Sequence, residues 1–92
     1  MITAIVLIKA EPQMIAGCAQ RLAGIEGVAR VYSVSGGWDL VAVVEVVDYE
    51  AIARIVTEQI STVPGLQLTN TLTAFRTYSK QDLEQAWDIG IE

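Results

Sequence analysis

The sequence of 92 residues contains no histidine, which removes the commonest general base and the commonest metal ligand together. It holds one cysteine, Cys18. An internal disulfide is therefore impossible, and a reducing cytoplasm is the expected compartment. Basic side chains are scarce: six Lys and Arg stand against eleven Asp and Glu, for a net charge of −5. Arg21, Arg30, Arg54 and Arg76 are scattered rather than striped, so no nucleic-acid surface is expected. No apolar run exceeds five residues (Ala4–Ile8 and Leu40–Val44), against the ~18 that a membrane-spanning helix needs. Met1-Ile2-Thr3 has neither the basic start nor the cleavage site of a secretory signal. No Cys-x-x-Cys pair is present, so metal transport is not expected, and neither a metal nor a cofactor is called for.

What is abundant is grease. Apolar residues make up 52% and charged residues 18%, with a mean hydropathy of +0.41. That balance predicts a folded chain, and its length predicts a single small domain. A domain this small buries only roughly two thirds of its unfolded surface. The apolar surplus therefore predicts a subunit interface.

The chain divides into a regular series. Thr3–Lys9 reads as a strand with apolar residues on both faces, the pattern of a strand covered on both sides. Pro12 opens a helix running to about Ala23, with Met14, Ile15, Cys18 and Leu22 on one stripe. Cys18 on that stripe reads as a buried structural thiol. Val28–Ser35 and Asp39–Val47 read as strands joined by a tight turn at Gly36-Gly37-Trp38. Asp48 is suited to cap a second helix, with Ile52, Ile55, Val56, Gln59/Ile60 and Val63 on one face. Leu66–Tyr78 reads as a long last strand.

Two stretches echo each other: Leu22, Ile25, Gly27 and Val28 have the spacing of Ile60, Val63, Gly65 and Leu66, displaced by 38 positions. The order βαββαβ with a central hairpin is the ferredoxin-like arrangement, an α+β fold whose four-stranded antiparallel sheet has helices on one face. The second apolar face then predicts sheet-on-sheet pairing into a dimeric α+β barrel. Residues 79–92 form an acidic tail that carries three of the five net negative charges. Asp82 and Gln85 make a capping-box pattern there, and Leu83, Ala86 and Trp87 share a helical face, so a short docked helix is expected.

The turn Val34-Ser35-Gly36-Gly37-Trp38-Asp39-Leu40 is similar to the Ser/Thr-Gly-x-aromatic-Asp-aliphatic signature of the effector-binding (RAM) domain of Lrp/AsnC transcriptional regulators. Ala4–Lys9, Gly27-Val28 with Val31–Val34, Val63–Leu66 and Thr71–Phe75 fit the same pattern in order and spacing. The resemblance covers residues 1–78. Typical members carry an N-terminal helix-turn-helix domain; this chain starts at its first strand and resembles the stand-alone members without one. Thr73 stands where an aliphatic residue is frequent.

The resemblance implies a non-catalytic sensing and oligomerisation module. Its implied partners are a small effector such as an amino acid, a homodimer assembling into an octamer-like ring, and full-length Lrp/AsnC relatives, with no direct nucleic acid and no membrane. It also implies an effector cleft between dimers near the turn, with Ser35, Gly36, Trp38 and Asp39 matching the signature and Gly37 at its variable position. Thr69, Thr71 and Thr73 are the strand residues nearest that cleft in the family pattern.

The residue chemistry suits this. Asp39 can pair with an ammonium group, turn N–H groups can meet a carboxylate, and Trp38 can wall an apolar side chain. The same residues also make an ordinary hairpin turn, and threonine is simply a good strand former. Two other functions fit the fold: a cofactor-free monooxygenase or isomerase of the dimeric α+β barrel type, and a ligand-free interaction module.

Overall fold

A computed structural model describes residues 1–80. The first strand, β1 (Ile2–Ala10), lies inside a four-stranded sheet of order β2-β3-β1-β4, with β2 at Val28–Ser33, β3 at Leu40–Val46 and β4 at Leu66–Thr73. All three pairings are antiparallel. Alternate residues of the two central strands divide cleanly. Ala4, Val6 and Ile8 of β1 and Leu40, Ala42 and Val44 of β3 are fully buried. Ile5, Leu7, Val41 and Val43, on the opposite face, are only half-buried.

The buried face is roofed by two helices. A single 3-10 turn at Pro12–Met14 leads into α1 (Ile15–Ala23), which contributes Cys18 and Leu22 to the core. The second helix, α2, starts at Tyr49 under the expected cap: the Asp48 carboxylate accepts from the Ala51 N–H at 2.8 Å. It is α-helical only to Arg54, winds as a π-helical turn over Ile55–Gln59 and ends as a 3-10 turn at Ile60–Thr62. The apolar spacing explains the change. A regular helix through Ile52 and Ile55 would next present Gln59 to the core. The wider π turn, in which the Ile60 N–H donates to the Ile55 carbonyl, presents Ile60 instead. Ile60 is fully buried and Gln59 is exposed.

The 38-residue echo is a repeated joint. In the first copy Ile25 N–H donates to Leu22 and Val28 N–H to Ile25; in the second, Val63 donates to Ile60 and Leu66 to Val63. Gly27 (φ +97°) and Gly65 (φ +90°) occupy the same place in each, in the left-handed region that disfavours side chains. Each carbonyl accepts a bond from another part of the chain, Glu45 N–H on Gly27 and Glu11 N–H on Gly65, both at 2.9 Å. Each glycine also lies against the other half's helical segment. A Cβ would fall 2.5 Å from Ile55 Cδ1 at Gly27 and 2.8 Å from Met14 Cβ at Gly65.

The last strand is shorter than the sequence pattern predicts, ending at Thr73 rather than Tyr78. β4 is an edge strand with β1 as its single partner, and β1 begins at Ile2. The Ala74 N–H bond to Thr3 O, 2.9 Å, uses the last available stretch of partner. The tail helix expected with Asp82, Gln85 and Trp87 lies outside the described residues.

Two outcomes follow from this packing. Gly27→Ala and Gly65→Ala should each destabilise the fold by about 2 kcal/mol, through a strained backbone and a steric contact, measured by chemical denaturation. Cys18 is 1% exposed, and its Sγ donates to Pro64 O at 3.0 Å. Burial pushes its thiol up, Arg21 opposes this, and Glu11 adds to it. The unfolded chain therefore loses this proton at lower pH than the folded chain. Stability should fall as pH rises above about 8.5, the ordinary thiol value, and Cys18→Ala should remove that part of the fall.

Candidate functional site

The turn between β2 and β3 does not hang free. Val34 N–H donates to Asp39 O at 3.0 Å, which closes the hairpin. Asp39 N–H then donates to Ile8 O at 2.9 Å, extending the β1–β3 ladder by one residue. β3 has no carbonyl left for the next N–H of β1. The Asp39 carboxylate takes its place, its Oδ2 accepting from Ala10 N–H at 3.0 Å. Lys9 Nζ donates to Gly37 O, also at 3.0 Å. Three bonds thus fasten the turn to the end of β1.

Asp39 therefore has a structural task that its place in the motif does not disclose. Only Oδ2 is engaged; Oδ1 has no hydrogen-bond partner among the described residues. Trp38 and Asp39 are half-buried, while Ser35, Gly36 and Gly37 are exposed. Gly36 has φ +108°, so the tight turn needs a glycine there. Gly37 has no such requirement, in keeping with its variable position in the signature. Lys9 and Ala10 were not expected at this site. Which strand end receives a turn is a tertiary fact, and a lysine ending a strand carries no signal of it.

Thr69, Thr71 and Thr73 lie on β4 opposite Ile8, Val6 and Ala4, and so share the helix-side face of the sheet. Thr69 is level with the turn, because Ile8 pairs with Leu40 on one side and Thr69 on the other. Thr71 and Thr73 step away along β4 by about 7 Å each. Lys9, paired with Leu68, projects from the other face. The turn and the threonine row therefore do not meet within one subunit. Three surface grooves of about 560, 350 and 300 Å³ are lined by none of these eight residues.

The fold and the turn both match one family. A model of the Lrp/AsnC ligand binding domain matches residues 3–83. The chain belongs to the Lrp/AsnC ligand-binding domain family. An uncharacterised HTH-type transcriptional regulator of Pyrococcus horikoshii is 34% identical over 84 residues, which is 86% of this chain and 55% of that protein. The chain thus spans about half the length of that regulator. A solved protein of Thermus thermophilus superposes with a TM-score of 0.82 at 41% identity, covering 87% of this chain and all of the other. A transcriptional regulator of Neisseria meningitidis, solved in complex with L-Met, shares the fold at a TM-score of 0.76 and 12% identity, over 85% of this chain and 52% of that one. The α+β architecture and the family expected from the turn signature are both borne out. Among the described residues no helix is long and apolar enough to cross a membrane.

The fastening makes a separable prediction. Asp39→Ala should cost about 1–2 kcal/mol in chemical denaturation, because it strands the part-buried Ala10 N–H. Asp39→Asn keeps a carbonyl oxygen for that bond and should recover most of the loss.

Proposed function

We propose that this effector-sensing domain binds an amino acid or a closely related metabolite, performs no catalysis, and does not itself read DNA. The observation that carries the reading is the pair of opposite charges built onto one turn. Asp39 keeps one carboxylate oxygen unengaged. Lys9 spends one of its three donors on Gly37 and keeps two. A zwitterion needs such a pair, an acceptor for its ammonium group and donors for its carboxylate. The backbone N–H groups of the exposed residues Ser35, Gly36 and Gly37 would add to the donors, and half-buried Trp38 would wall the side chain. The L-Met complex of the Neisseria regulator supports the same ligand class for this fold.

A single subunit leaves such a ligand open to water, so a closed site calls for a subunit junction. The sheet face opposite the helices presents Ile5 and Leu7, Val41 and Val43, and the exposed Tyr32, Leu68 and Leu72. A patch of this kind calls for a partner. Two such faces packed together would give the dimeric barrel, and dimers joined near the turns an octamer-like ring. Thr69, Thr71 and Thr73 would then line the cleft from a neighbouring subunit. Absence of catalysis is supported by a sequence without histidine and by a single thiol that is buried and raised. The acidic composition argues against a DNA surface, so output would pass through co-assembly with full-length relatives. The unbridged thiol suits the cytoplasm.

A thermal-shift screen with the twenty amino acids, run alongside light scattering, tests this. At about 100 Kd of the right ligand, the melting temperature should rise by about 5 °C or more in an oligomeric protein. Asp39→Asn, which stays folded, should lose that rise. No shift with any amino acid in assembled protein, or an unchanged shift in Asp39→Asn, would overturn the reading.

A further inference from the structure

The largest of the three grooves, about 560 Å³, lies far from the turn. It opens where β1 begins and β3 ends, beside Met1 and Val46, whereas Asp39 bonds to Ile8 near the other end of β1. The strand from Ile2 to Ile8 puts about 20 Å between the two places. The volume falls within the roughly 300–1,000 Å³ usual for small-molecule clefts.

The floor of the groove is apolar, formed by the buried residues Val46, Ala51 and Ile55. Charges of both signs stand around it: Arg54 and the Met1 ammonium against Glu26 and Glu45. The groove is neutral overall, yet among the described residues no ion pair or hydrogen bond engages any of these four charged groups. Ile55 reaches from one sign to the other. Its backbone adjoins Arg54, and its Cδ1 lies against Gly27, the neighbour of Glu26. The turn that holds Glu26 is fastened to β3, since Gly27 O accepts the Glu45 N–H at 2.9 Å. The π turn adds a neutral group. Its winding takes Ile60 into the core and leaves Gln59 outside, as part of the groove wall. Such turns recur at functional sites, and the Gln59 amide brings a donor and an acceptor together.

We propose that this groove is a second small-molecule site, which takes a short ω-amino acid: an ammonium and a carboxylate at opposite ends of an aliphatic chain. The aliphatic chain lies on Ile55 and Val46. Arg54 pairs with the carboxylate, as a guanidinium does best through two parallel bonds, and the Gln59 amide supplements it. Glu26 accepts from the ammonium, with Glu45 adding negative charge at the rim. Opposite charges held apart across an apolar floor select a ligand whose own charges are apart. An α-amino acid carries both on one carbon and meets one end of the groove only. A simple cation or anion leaves the other end unmet. A neutral ligand of this kind matches the charge balance of the groove. The site draws on neither Asp39 nor a neighbouring subunit, so it does not depend on the effector reading above.

Isothermal titration calorimetry of the full chain with 6-aminohexanoate and with 5-aminopentanoate tests the site. At least one of the two should bind saturably, once per chain. Hexanoate and hexylamine, each with one charge, and L-leucine should bind about tenfold more weakly or worse. Arg54→Gln and Glu26→Gln, both at exposed positions, should each raise the dissociation constant about tenfold or more while the melting temperature of the free protein stays put. Arg76→Gln, which removes an exposed cation elsewhere, should leave the dissociation constant unchanged. No saturable binding of either probe, equal affinity for hexylamine or L-leucine, or a dissociation constant unmoved in Arg54→Gln or Glu26→Gln would overturn the groove site. The amino-acid screen reads the turn with other probes, so either reading can fail while the other stands.

Discussion

Everything in this molecule turns on a sheet with two oily faces, of which the helices among the described residues cover only one. The buried face is finished: Ala4, Val6, Ile8, Leu40, Ala42 and Val44 meet Leu22 and Ile60 with no solvent left between them. The other face is built from equally apolar side chains and stays half in water. Hydrophobic burial is the main favourable term in folding, and a domain of this size has little surface to waste. The same constraint governs the effector reading. In the proposed reading, a turn with charges on it becomes a closed site only when a neighbour covers it, so assembly and binding would draw on one set of contacts, which would be the physical basis on which a ligand favours one assembly over another.

The turn illustrates how a residue with an architectural task could also serve the recognition proposed for it. Asp39 stands in for a missing strand carbonyl by accepting the Ala10 N–H. That bond fixes the aspartate's position relative to Lys9, the other charge of the pair. A carboxylate held in this way would meet the proposed ligand with little rotational freedom left to lose. Pre-organisation here comes from the end of a β-ladder rather than from a dedicated scaffold of side chains.

Much of this was legible in the residues. Strand positions, the Asp48 cap and the repeated Leu-x-x-Ile-x-Gly joint follow from periodicity and turn chemistry, which are local. The π turn in α2 was half-legible: the competition between Gln59 and Ile60 for one buried position was visible, but not which winding would resolve it. The end of β4 was hidden, because Phe75 and Thr77 continue a fair strand pattern and only the length of β1 stops it. The site was legible as a motif and not as a geometry. Nothing local says that Asp39 reaches Ala10, that Lys9 reaches Gly37, or that the threonines of β4 lie on the far side of the sheet from Lys9.

The doubled glycine joint has a bearing on how the chain acquires its shape. Gly27, in the first half, is roofed by Ile55 of the second, and Gly65, in the second, by Met14 of the first. Each bend is closed by bonds within its own half, yet each leaves room for a side chain or helix turn of the other half where only a glycine fits. The two units interlock like crossed fingers, an arrangement that favours one cooperative folding transition in a domain of this size.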